Sequence, residues 1–216
     1  MFKVPRAVAK KKAYKVKKRR RKIQPYCTDS AALHCGDITP GCDIFGLSNG
    51  SFSSVDIIDW VLGATGPADV VIATWTAAAG NLTRAESFLR NGKIKSLRFL
   101  IDGSFVSRKP EYCSEMVQLF GNDCIRTVGI HAKFVLVKND LWNIVMNTSM
   151  NLTQNKRVED YRITDDADMM AYMMEVVDDI WSEEKCGDLF NQNAYHETEK
   201  PSKYDFSGIS AEDLGL

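Results

Sequence analysis

Short apolar runs alternate with amphipathic stretches from Asp43 onward, and the two kinds differ in period. Ala68 to Trp75, ADVVIATW, is almost wholly apolar and has the length of a strand buried on both faces. Asp43 to Leu47 predicts a shorter strand, ended by the turn residues Ser48-Asn49-Gly50. Ser53 or Ser54 is placed to cap a helix with Ile57, Ile58, Val61 and Leu62 on one face, stopping near Gly63 to Gly66. Leu82 to Arg90 predicts a helix ended by Asn91-Gly92, and Ile94 to Ile101 a further strand. Pro110 to Phe120 has proline in its first turn and Gly121 just past its end, the usual asymmetry of a helix.

Asp123 to Val128 predicts a strand. Two more, within Ile130 to Asn151, are joined by a hairpin at Lys138-Asn139-Asp140, and Val158 to Ile163 adds another. Ala167 to Trp181 carries Met169, Met170, Met173, Val176, Val177 and Ile180 as the apolar stripe of a helix, with the methionines filling core. Strands and helices in alternation predict a layered α/β/α domain with a mixed sheet over residues 43–186.

Charge divides the chain more sharply than its zero net value suggests. Residues 1–24 hold twelve of the 28 Lys and Arg and no acid, leaving sixteen cations against all 28 acids elsewhere. A basic arm without fixed structure is therefore expected, ahead of an acidic body and an acidic polar tail over 187–216. Lys17, Lys18, Arg19, Arg20, Arg21 and Lys22 form an unbroken cationic run suited to nucleic-acid phosphates, whose neutralisation releases counterions. The same run also fits a nuclear-localisation signal, and composition does not separate the two readings.

No apolar run approaches the length of a membrane span, so no membrane partner is expected. The start of the chain lacks the apolar core of a secretory signal, and six unevenly spaced cysteines suit a reducing compartment; a cytoplasmic protein is expected. Cys27, His34, Cys35 and Cys42, in the lead-in over 25–42, are zinc-ligating residue types. Their spacing is not that of paired zinc modules, so no metal is assigned.

The stretch IHAKFVLVKNDLWNIVMNTSMNLTQNKRVEDYRI, residues 130–163, concentrates the polar chemistry. His131 and Lys133 are two apart, as are Ser149 and Asn151; on strands, each pair shares a face. An imidazole, an ammonium, a hydroxyl and an amide would then converge on one anion, with Glu159 following. Trp75, Thr76, Asn147, Asp102 and Ser104 fall at or near strand ends and are given no role.

HAK, TSMN and Glu159 together resemble the HxK…GSxN…E signature of the phospholipase D-like superfamily, in its small single-motif nucleases. Two positions depart from that pattern. Lys138 stands where the family has Asp, the nearest here being Asp140, and Thr148 stands where it has Gly. The resemblance implies a phospholipase D-like fold and a phosphodiesterase that uses no cofactor and no metal. Lys133, Ser149 and Asn151 would hold the phosphate oxygens by charge and hydrogen bonds. His131 would attack phosphorus to give a phosphohistidine, and a second imidazole would protonate the leaving alcohol. Glu159 would accept from an imidazole N–H and fix its orientation. The chain has one such histidine, so the resemblance implies a homodimer with one His131 from each copy. The basic arm points to DNA or RNA as substrate. A catalytically inactive DNA-binding protein and a phospholipid phosphodiesterase stand as alternatives.

Overall fold

The computed structural model describes residues 21–24, 30–31 and 35–183. Within them thirteen elements follow in order: strand β1 (Lys22–Ile23), β2 (Asp43–Ser48), helix α1 (Ser54–Thr65), β3 (Ala68–Thr74), α2 (Ala79–Arg90), β4 (Ile94–Asp102), α3 (Gly103–Arg108), α4 (Pro110–Phe120), β5 (Ile125–Val128), β6 (Phe134–Lys138), β7 (Asn143–Thr148), β8 (Glu159–Asp165) and α5 (Ala167–Glu183). The strands form one mixed sheet in the order β1-β2-β8-β7-β6-β3-β4-β5. This is the layered α/β arrangement that the alternating pattern predicts.

The pleat divides the core into two layers. Val70 and Ile72 of β3, with Val135 and Val137 of β6, face α1, α2 and α4. Val71, Ala73, Phe134 and Leu136 face the opposite way, onto Met170, Val177 and Ile180 of α5. Being covered on both sides explains why β3 and β6 read as apolar runs rather than alternations. The α5 methionines do pack against this second layer, as core filling requires.

Local signals behave as their chemistry dictates. The Ser53 backbone N–H donates to Asp56 Oδ2 at 2.6 Å, closing the first turn of α1, and Arg84 of α2 donates to the other oxygen of the same carboxylate at 2.6 Å. The helix ends at Thr65 with Gly66 as its C-cap, within the expected stop, and the Gly66 N–H donates to the Leu62 carbonyl at 3.0 Å. Asn139 Oδ1 accepts from the backbone N–H groups of Leu141 and Trp142, forming the predicted hairpin turn between β6 and β7. Gly46 of β2 lies opposite the fully buried Tyr161 of β8, whose ring occupies the space that a side chain at 46 would need. Glycine is required there by close approach, not by its backbone angles.

Three expectations change. The end of the basic arm is not without structure: Lys22–Ile23 pairs in parallel with Ile44–Phe45, and Gln24 N–H donates to the Phe45 carbonyl at 2.8 Å. Arg21 reaches the buried Asp43 carboxylate, which Arg162 of β8 also binds through Nε and Nη2 at 3.0 and 3.1 Å. Burial by itself would raise the Asp43 carboxyl, but hydrogen bonds from Arg162 and Arg21 outweigh it and hold the group below the ordinary carboxylate range. Second, α3 is a short helix that the pattern does not announce. Third, the ladder of β6 begins at Phe134 and that of β7 ends at Thr148, so the paired polar residues lie beyond the strands.

Lys17, Lys18, Arg19, Arg20, Cys27, His34, Cys186 and His196 lie outside the described residues. Cys35 is fully buried, and burial raises the Cys42 thiol above its usual value. Among the described residues no group of three or more His, Cys, Asp or Glu could hold a metal ion, and no helix is long and apolar enough to cross a membrane.

Candidate active site

Strand direction decides which residues meet. β3 ends at Thr74, and β4 runs parallel beside it to end at Asp102. β6 is antiparallel to β3 and so begins at that same end, with Phe134 opposite Ala73. β7 reverses again and finishes there, with Asn147 opposite Phe134, and β8 starts there, with Tyr161 opposite Thr148. His131, Lys133, Ser149, Asn151, Glu159, Trp75 and Asp102 are therefore gathered at one end of the sheet.

His131 and Ser149 are exposed, and Lys133, Asn151 and Glu159 are half-buried. Lys133 is folded back so that its Nζ donates to the His131 carbonyl at 2.9 Å. Burial lowers its pKa, against an opposing pull from the carboxylates of Glu159 and Asp102. The His131 ring lies against Trp75, centroids 5.7 Å apart and planes inclined by 60°.

Asn151 is fixed from two sides. Its Oδ1 accepts from the Trp75 backbone N–H at 3.2 Å and from the Thr74 hydroxyl at 3.3 Å. Its carbonyl accepts from the Ser54 hydroxyl at 2.8 Å. With Oδ1 committed, Nδ2 is the end of the amide that remains to donate to an anion.

Ser149 bridges β7 and β8. Its hydroxyl donates to Glu159 Oε2 and accepts from the Asp160 N–H at 2.9 Å. The bond to Glu159 expected from an imidazole thus comes, within this chain, from Ser149. The carboxylate holds a neighbouring strand end and bears electrostatically on Lys133.

Both departures from the family pattern acquire a place. Lys138 pairs with Asp69 at the far end of β6, roughly 17 Å from Lys133 at strand rise, so it does not enter the site. Thr148 turns its hydroxyl into the framework, donating to the Asp160 carbonyl at 2.6 Å and accepting from the Met150 N–H at 3.0 Å. Residue pattern gives Asp102 and Trp75 no role and does not single out Arg108, yet all three border this site. Arg108 stacks on Trp75, its guanidinium carbon 3.7 Å from the ring centroid. Strand-end position is the signal that could have found Asp102 and Trp75; Arg108 depends on α3, which has no legible period.

No protein-family model matches the sequence, and no curated protein matches it. Among solved structures it is similar to Nuc from Salmonella typhimurium, described as a phospholipase D family member, with a TM-score of 0.50 at 16% identity over 66% of this chain and 95% of that one. NucT from Helicobacter pylori aligns with a TM-score of 0.49 at 14% identity, over 67% of this chain and 99% of that one. The sheet that brings His131, Lys133, Ser149, Asn151 and Glu159 to one end therefore has a phospholipase D-like fold.

Proposed function

We propose that this protein is a metal-independent phosphodiesterase that cleaves nucleic acid, DNA foremost, and works as a homodimer. The observation that carries the reading is the convergence of five separated polar residues on one sheet end. Helices cover both faces of that sheet, so its ends are where polar side chains can meet a ligand.

A phosphodiester entering this end meets the Lys133 ammonium and the Asn151 amide nitrogen, which take the non-bridging oxygens as charge builds on them. His131 attacks phosphorus through a ring nitrogen. A P–N bond forms as the ester P–O bond breaks, and the leaving oxygen takes a proton from a second imidazole. The second copy's own His131 supplies that imidazole across a two-fold axis, since an isologous interface brings identical surfaces together. Water then attacks phosphorus, the second imidazole accepts its proton, and the P–N bond breaks to release a phosphomonoester. Glu159 holds Ser149 in line and supports the charge on Lys133. The basic arm, with Lys17, Lys18, Arg19, Arg20, Arg21 and Lys22, adds affinity for the polyanion; Arg21 is in part committed to Asp43.

A DNA-binding protein without catalysis is the second reading. It is favoured by the Ser149 hydroxyl already donating to Glu159 and by Thr148 in place of a glycine. Cleavage of plasmid and single-stranded DNA in EDTA, by the parent protein and by His131→Ala, separates the two. Cleavage that survives EDTA and disappears in the variant supports the enzyme. DNA binding without cleavage at any pH leaves the binder. A mass measurement in solution tests the dimer.

A further inference from the structure

A cation at the same sheet end is not used by the chemistry above. Arg108 is the last residue of α3, a helix of six residues whose start is capped by Asp102 and whose Phe105 and Val106 are buried. Those two anchors fix where the exposed end of α3 sits, and Arg108 is held there by three interactions. Its guanidinium lies on Trp75, 3.7 Å from the ring centroid to the guanidinium carbon. Nη2 donates to the Trp75 carbonyl at 3.1 Å, and Nε donates to the Ser104 hydroxyl at 3.3 Å. Ser104 in turn donates to Asp102, one of the carboxylates that bear on Lys133.

Among the described residues no carboxylate lies within ion-pair distance of Arg108, yet the side chain is immobilised by an aromatic face and two hydrogen bonds. Two of its five N–H donors are committed, leaving both on Nη1 and one on Nη2 for a ligand. Holding the side chain in place beforehand removes much of the ordering entropy that binding would otherwise cost. Trp75 also touches His131, with ring centroids 5.7 Å apart. The ring therefore sets an upper limit on the spacing between guanidinium and imidazole. That spacing cannot exceed the two separations laid end to end, the scale of neighbouring phosphates along one strand. With one face covered by Arg108, Trp75 is a spacer rather than an open platform for a base.

We propose that Arg108, braced on Trp75, binds the phosphate next to the one attacked, so that the site takes two consecutive phosphates of a nucleic-acid strand. The proposal rests on the phosphodiesterase reading for the position of the first phosphate. A guanidinium suits this role better than an ammonium because its planar donors match phosphate oxygens. A substrate with a single phosphate would forgo the interaction.

The test compares three dinucleotides: thymidylyl-thymidine, and the same molecule carrying an added terminal phosphate at its 5′ or its 3′ end. Each is titrated into the full chain on a His131→Asn background, so that no bond is cleaved, with the Trp75 indole N–H resonance as readout. At least one added phosphate is expected to tighten binding about tenfold. That gain is expected to fall to less than about twofold in both Arg108→Ala and Arg108→Gln, the second keeping a polar side chain of similar reach. A gain that persists in both variants, or is absent with Arg108 in place, overturns the proposal. With His131 intact, failure to cleave DNA in EDTA would remove the phosphodiesterase reading and leave the affinity comparison to decide the phosphate subsite by itself.

Discussion

The Trp75 backbone N–H donates to Asn151 Oδ1 at 3.2 Å, tying the end of β3 to the loop after β7. Asn151 is thus a brace and, in the proposed reaction, also a phosphate ligand, and substitution can separate the roles. Asn151→Ala removes the brace and the donor together. Cleavage is expected to fall by about 100-fold or more, and the melting temperature by roughly 2–4 °C for a destabilisation of about 1 kcal/mol. Asn151→Asp keeps an oxygen for the Trp75 N–H but turns a carboxylate towards the phosphate. It should melt close to the parent and yet be inactive. Activity retained in Asn151→Asp, measured beside its melting curve, would contradict the assignment.

Lys133 gives a pH prediction with a definite sign. Burial favours its neutral amine, while Glu159 and Asp102 favour the ammonium. Removing the Glu159 charge in Glu159→Gln therefore lowers the Lys133 pKa further. A site that needs the ammonium will become inactive at lower pH than the parent does. The alkaline limb of the kcat/KM profile is expected to move down in Glu159→Gln. A limb that stays in place or moves up would show that Glu159 does not act on Lys133.

Much of this fold is legible from residue pattern alone, and the failures have local causes. β3 and β6 announce themselves because both faces are covered, and the hairpin because Asn139 supplies its own turn bonds. His131 and Lys133 read as strand residues because their parity continues that of β6. The ladder nevertheless starts at Phe134, because both neighbours run out here: β3 ends at Thr74 and β7 at Thr148, each one residue past the partner of Phe134. Where a strand stops is set by its neighbour, which no local pattern contains. Helix α3, GSFVSR, is shorter than two helical turns and shows no period; its Asp102 cap and the burial of Phe105 and Val106 define it. β1 hides within a cationic run, and what fixes it is the distant Asp43 carboxylate. The bond from Ser149 to Glu159 joins two strand ends and is equally invisible to local pattern.

The ordered root of the basic segment alters how the arm should be tested. Deleting residues 1–24 would also remove β1 and the Arg21 ion pair with Asp43, confounding fold with charge. Deleting 1–20 keeps both and removes ten of the twelve cations. Affinity for single-stranded DNA should weaken, and the slope of log K against log salt should flatten by about 0.7 for each phosphate that the shortened protein no longer neutralises. The measurement is a salt titration of binding for the parent and the truncated protein. An unchanged slope would exclude the arm from phosphate binding.

The phosphodiesterase reading turns on whether His131 forms a covalent bond to phosphorus. That bond can be trapped by quenching the protein in base during cleavage of radiolabelled DNA, in EDTA, and mapping the retained label by peptide mass spectrometry. An acid-labile, base-stable phosphoryl group is expected on His131, present in the parent and absent from His131→Ala. DNA cleaved in EDTA with no label trapped on His131, or cleaved equally well by His131→Ala, would contradict the assignment of His131 as nucleophile.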